Sequence, residues 1–444
     1  MKYQTIFALI FTGLILLVST GLTQEPTEQT RLVVKGVIPD SPAQKAGVLP
    51  NDILIQYDGK PVKTVKELND LKAQVKGDSV EIAVMREGKE LKFKIPAGSI
   101  GVFLNEWLPD LTYKADAMVI EGIPKLGWDI GKDNTFFGAL EAVANYLGIK
   151  KDYIEINGIS GGAFRVQFCK DWCPSSPDPT CGYNVGEEAL RALGLEYQTL
   201  ALSTDGKNKP EMKKAIMESI AKKIPVIAID LIETMEWGVI TGYQNNGEEL
   251  ICRTYFDRRE GYEIAQKYPF AIYIITGMKQ TPKDIDNYQK SFEIALKNLK
   301  TERYENYYSG IAGFNQWIKE LEKDNFAALD SQKYYNAALA NAWIYDRLTS
   351  DRADAAAYLG RINNQFPKAS AKINELAQLY KDESELLKQP KNIVIYSYAM
   401  KSREDWTPEM RTKEVDVLRN AKTKEEAALK LWEEIAKLTA KSKK

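Results

Sequence analysis

Asn246-Gly247 sits between two apolar, β-branched runs, WGVITGYQ and EELICRTYFD, and that arrangement commits the surrounding chain to an antiparallel hairpin. Asn and Gly tolerate the positive φ angles of a tight reversal, and Val, Ile and aromatic residues favour the pleat on either side. Two further strand-like runs, IPVIAID and FAIYIITG, flank the pair. The stretches before them, Thr135 to Leu147 and Pro210 to Lys222, carry apolar residues at helical spacing. Helices first and antiparallel strands last define an α+β unit, bounded at 112–280.

The period changes on both sides of that unit. From Arg31 to Val102 the runs RLVVKGVI, DILIQYD, SVEIAVMR and KELKFKIPA read as short strands, the last two joined by a turn at Glu87-Gly88. Between them, TVKELNDLKAQV reads as a helix. Thr64 and Glu67 form its capping box, and Val65, Leu68, Leu71 and Val75 its apolar face. Residues 281–444 consist almost wholly of strong helix formers with apolar residues three and four apart, the pattern of a helical bundle.

Residues 1–24 have a basic start at Lys2, an apolar run from Ile6 to Val18, and small residues at Ser19 and Gly21. They read as a signal peptide or an N-terminal membrane anchor. Either places the remainder outside the cytoplasm, secreted or tethered at the cell envelope, where disulfides persist. The cysteines are Cys169, Cys173, Cys181 and Cys252. The Pro/Ser-rich loop between Cys173 and Cys181 favours a bridge between those two, with Cys169–Cys252 as a further pair.

The chain contains no histidine. That excludes Ser-His-Asp and Cys-His catalysis and the HExxH zinc site. The formal net charge of −1 gives no electrostatic footprint for nucleic acid. NGISGGAFR does not open a helix with GxGxxG, so no phosphate cradle, cofactor or metal is expected.

Residues 27–106 resemble a bacterial PDZ domain of the type found in periplasmic serine proteases and site-2 proteases. The resemblance rests on GVIPDSPAQKAGVLPNDILIQYDGKPV followed by VMREGKEL, with Asn51 where the family usually has Gly. It implies strand-wise binding of peptide or protein C-termini. Ser99, Ile100, Gly101 and Val102 would hold the carboxylate, and the helix bearing Leu68 and Val75 would form the opposite wall.

Residues 112–280 resemble papain-like cysteine peptidases that trim double-glycine leader peptides, and the related N-terminal domain of the butirosin-biosynthesis acyltransferase. TFFGALEAVANYLG and EWGVITGY carry this resemblance. It puts Thr135 at the nucleophile position, Glu236 at the histidine and Asp257 at the third member. A Thr hydroxyl does not ionise near neutral pH as a thiol does, and a carboxylate is a weak base for it. The resemblance therefore implies a degenerate, non-catalytic site, with Trp128, Arg165 and Trp237 as cleft candidates. The alternatives are a hydrolase or acyltransferase using Thr135, Glu236 and Asp257, or a small-molecule receptor in that cleft. The sequence thus points to a multidomain α+β architecture: a PDZ domain, a papain-like domain and an all-α C-terminal bundle. Its expected role is an exported peptide- or protein-binding protein.

Overall fold

The computed structural model describes residues 30–440, apart from 39, 40, 87, 99, 129, 234, 324, 391, 392 and 401. The expected leader, 1–24, and Ser99 lie outside the described residues. No helix among the described residues is long and apolar enough to cross a membrane.

The first unit contains β1 (Arg31–Val37), α1 (Pro42–Ala46), β2 (Ile53–Tyr57), β3 (Lys60–Pro61), α2 (Val65–Lys72), β4 (Ser79–Arg86), β5 (Lys89–Pro96) and β6 (Val102–Trp107). Its sheet runs β5-β4-β2-β1-β6, every pair antiparallel. Local chemistry sets the element ends. Ser41 caps α1 by accepting from the Gln44 amide, and Gly47 ends it at φ 91°. The Thr64–Glu67 capping box starts α2. Asn51 takes φ 72°, which explains why Asn can stand where Gly is usual. Leu32, Val34, Leu54, Tyr57, Leu68, Val84 and Ile100 form a separate core.

The next elements are β7 (Met118–Val119), α3 (Thr135–Tyr146), α4 (Tyr153–Ile159), β8 (Gln167–Cys169), α5 (Val185–Ala192), β9 (Leu195–Ala201) and α6 (Lys209–Ala221). They are followed by β10 (Val226–Ile229), β11 (Trp237–Gln244), β12 (Glu249–Arg253), β13 (Glu263–Ile264) and β14 (Ala271–Met278). The antiparallel sheet runs β13-β12-β11-β10-β14-β9, with β7 added beside β11. The hairpin at Asn246-Gly247 is present but wider than a two-residue turn. Gln244 pairs with Glu249, and Asn245, Asn246 and Gly247 take φ 53°, 51° and 79° in succession.

The rest is helical: α7 (Asp284–Lys300), α8 (Gly310–Glu322), α9 (Ser331–Ile362), α10 (Ser370–Lys388) and α11 (Pro408–Thr439), with a small hairpin of β15 (Arg303–Tyr304) and β16 (Tyr307–Ser309). The architecture is mixed α and β, with antiparallel sheets and a helical C-terminal region. One continuous core joins the second sheet to these helices, from Phe136, Leu140, Ile227 and Ile240 to Phe292, Tyr358, Tyr380 and Trp432. Buried charge reinforces the junction. Arg352 on α9 donates to the Ala163 carbonyl at 2.8 Å and pairs with Glu425 of α11, with its own side chain fully buried.

The expected Cys173–Cys181 bridge is not formed, and all four cysteines are free thiols. The loop between them is closed by other means. Backbone turns run from Ser176 N to Cys173 O (3.0 Å), from Asp178 N to Ser175 O (3.0 Å) and from Cys181 N to Asp178 O (3.2 Å). Cys173 Sγ instead lies 2.8 Å from Ser175 Oγ.

Candidate functional site

Two places bring chemistry-bearing groups together. In the second unit, Asn134 caps α3 by accepting from the Phe137 amide, which sets Thr135 on the first turn, packed against the start of β11. Thr135 Oγ1 donates to Glu236 Oε2 at 2.7 Å and accepts from the Trp237 amide at 3.2 Å. Burial pushes the Glu236 carboxyl up to about 7; the Thr135 hydrogen bond opposes this and the charge of Asp178 adds to it. A hydroxyl aimed at a carboxyl that is half-ionised at neutral pH is the geometry of a nucleophile–base pair. A Thr hydroxyl in such a pair needs a stronger base than a thiol does, because it does not ionise near neutral pH.

Asp257 does not join this pair. Its Oδ1 accepts from the Thr254 amide (2.8 Å) and hydroxyl (3.0 Å), and its Oδ2 from Arg253 (2.7 Å). The carboxylate that acts on the pair is Asp178, through its charge. Its Oδ2 accepts from the Trp237 indole at 2.8 Å and its Oδ1 from the Thr180 hydroxyl at 2.6 Å. Sequence reading missed Asp178. Its one local signal is the turn-forming PDPT context, which is indistinguishable from an ordinary loop.

The cleft candidates separate. Trp237 is buried edge-to-face on Phe136, 5.0 Å between centroids. Trp128 is 39% exposed and leans on Tyr255 at 4.7 Å, whose hydroxyl donates to the Lys132 carbonyl at 2.6 Å. Arg165 has both terminal guanidinium nitrogens engaged within its own fold. It is buried and donates to the carbonyls of Pro177, Asp178, Cys181 and Tyr183, so it shapes the loop that carries Asp178. No cluster of acidic or cysteine side chains suited to a metal ion occurs among the described residues.

The second place is the free edge of the first sheet. β6 is the end strand among the described residues, and α2 lies beside it, with Glu106 Oε1 accepting from the Val65 amide at 2.7 Å. At the start of β6 the carbonyls point inward. The Ile100 carbonyl accepts from Ala43 N (3.0 Å), and the Gly101 carbonyl from Ile38 N (2.9 Å) and Ser41 Oγ (3.1 Å). In a planar trans peptide the N–H points opposite to the preceding C=O. The amides of Gly101 and Val102 therefore face away from α1, outward at the mouth of the β6–α2 channel. Gly101 is required there: its φ is 80°, and a Cβ would lie 2.2 Å from Ser41 Cβ. Leu68 is fully buried and serves as floor, whereas Leu71 and Val75 are half-buried and Phe103 is 64% exposed.

A family model for the PDZ domain matches residues 33–86, across the strands and helix just described. This stretch is a PDZ domain.

Similar proteins place it among protease PDZ domains. It is 34% identical over 70 residues to the magnetosome formation protease MamE of Paramagnetospirillum magneticum, covering 16% of this chain and 10% of that one. It is 37% identical over 65 residues to the serine endoprotease DegS of Escherichia coli, covering 14% of this chain and 18% of that one. It is 41% identical over 64 residues to the serine protease Do-like HtrA of Bacillus subtilis, covering 14% of each chain. The chain thus spans under a fifth of the length of these relatives.

The PDZ domain is pinned to the second unit directly behind its edge strand. Leu108 N donates to Arg258 O at 2.7 Å, Gly261 N to Asp110 Oδ1 at 2.6 Å, and Arg259 to the Pro109 carbonyl. Lys125 lies over the Trp107 ring at 4.5 Å and pairs with Glu260 at 2.6 Å.

Proposed function

We propose that this chain is an exported, envelope-associated binding protein whose PDZ domain captures the C-terminus of a peptide or protein. The observation that carries the reading is the inward tethering of the Ile100 and Gly101 carbonyls, which leaves the Gly101 and Val102 amides free to hold a carboxylate beside an open strand edge. PDZ domains in general bind peptide C-termini, and the basic-then-apolar leader at 1–24 supports an extracytoplasmic location. In this reading the second unit is a papain-like domain without its catalytic pair, holding a partner rather than cutting it. The test is fluorescence anisotropy with labelled peptides ending in an apolar residue. Binding by the free acid, and its loss for the C-terminal amide and for Gly101→Val, is the expected result. Equal binding of acid and amide overturns it.

A second reading makes the second unit a hydrolase or acyltransferase acting through Thr135. It is favoured by the 2.7 Å contact and by the carboxyl of Glu236 titrating near neutrality. A covalent adduct on Thr135 from a hydroxyl-reactive acyl probe, lost in Glu236→Gln, would establish it. Absence of any adduct leaves the binding reading in place.

A further inference from the structure

An open cleft of about 270 Å³ lies beside Tyr273, whose ring is 5.6 Å from that of Trp237. Its floor is the paired ends of β14 and β9, where Tyr273 stands opposite Thr199. Its walls are the Thr180–Glu187 segment and the β15–β16 hairpin, which contributes Glu305 from its turn and Tyr307 from β16.

The charged side chains that line it have one sign. Glu187 and Glu305 are both exposed and both line the cleft, and no ion pair among the described residues joins either to a cation. Of the cations nearby, Arg191 pairs with Glu188 at 2.8 Å and Lys279 with Glu196 at 2.5 Å, while Lys297 lies over the Tyr183 ring at 4.8 Å and Arg303 over the Tyr308 ring at 5.4 Å. Burial chiefly raises the Tyr273 hydroxyl, a hydrogen bond with Asn184 opposes this, and the charges of Glu187 and Asp178 add to it. Tyr197, 5.6 Å from Tyr273 between ring centroids, is raised by burial and then by Glu187. Carboxylates beside aromatic faces are the combination that attracts an ammonium or guanidinium group.

The strand geometry says what carries that group. β9 is the end strand of its sheet among the described residues, and Thr199 on it is exposed. A free strand edge offers unpaired backbone groups to an extended chain, whose alternate side chains then fall on one face.

We propose that this cleft is a second peptide site, taking an extended segment along β9 with a Lys or Arg side chain seated between Glu187 and Glu305. It recognises an internal basic residue and not a chain end, so it is independent of the PDZ reading.

The test uses the full chain and an N-acetylated, C-amidated hexapeptide with one central Arg, which has no terminal carboxylate for the PDZ domain to hold. The comparison peptide carries citrulline, of similar size but neutral. Calorimetry should show the Arg peptide binding about tenfold or more tighter than the citrulline peptide. The preference should shrink to about twofold in Glu187→Gln/Glu305→Gln and should weaken with added salt. Equal binding of the two peptides to the wild type, or no binding of either, overturns the proposal, and both comparisons stand even if the double variant does not fold. An unchanged preference in a folded double variant overturns it as well.

Discussion

Thr135 and Glu236, 101 residues apart in sequence, share a 2.7 Å hydrogen bond in which the hydroxyl donates and the carboxyl accepts. The bond ties the first turn of α3 to the lead-in of β11, and Trp237 N completes it from the other side. Its carboxyl is held up to about 7, chiefly by burial.

That elevation makes a signed prediction. A carboxyl whose folded value lies above its unfolded value binds more protons when folded, so stability falls as pH rises between the two. The window runs from the ordinary 4.5 to about 7, and the loss across it is on the order of 3 kcal/mol. Glu236→Gln removes this slope. Thermal unfolding should therefore show the variant gaining on the wild type from pH 5 to pH 8. A constant difference between the two would contradict the assigned burial.

Gly138 faces Tyr255 so closely that a Cβ there would lie 2.0 Å from the tyrosine hydroxyl. Gly138→Ala should destabilise by about 1–3 kcal/mol through overpacking. Adding Tyr255→Phe should recover part of that loss, because the clashing oxygen is gone. A double-mutant cycle in urea reads the coupling.

Arg352 is fully buried with Glu383 and Glu425 around it. Arg352→Met leaves two carboxyls without a cation and removes the donor to the Ala163 carbonyl. The expected loss is about 3–5 kcal/mol by chemical denaturation, with the helical region loosening from the second unit.

The free thiols make a counting prediction. Cys173 is half-buried, and Cys169, Cys181 and Cys252 are buried. Burial also raises Cys169 to about 11, which further slows its reaction. Iodoacetamide should label Cys173 first in the native protein, and all four cysteines in denaturant without a reductant.

Much of the framework follows from local chemistry. The Thr64–Glu67 capping box, the left-handed turn around Asn246-Gly247 and the helical C-terminal region are written in short stretches, because caps, φ preferences and apolar periodicity act within a few residues. Gly101 was also legible: a glycine between two apolar residues at the head of a strand marks a backbone position that no side chain fits.

Side-chain partnership was not legible in that way. Arg165 looked available for a ligand, yet four backbone carbonyls of a loop more than ten residues away claim it. The resemblance puts Asp257 beside Glu236, but Arg253 and Thr254 hold it, while Asp178, from an ordinary-looking loop, accepts from the Trp237 indole and acts on Glu236 through its charge. Two cysteines eight positions apart looked ready to bridge, but turns and Arg165 close their loop without them. Sequence alone determined most of which segments are helix, strand and turn, because those depend on neighbours along the chain. Only the tertiary structure decided which buried polar groups face one another, because a desolvated donor takes whichever acceptor the packing brings within about 3 Å, however distant in sequence.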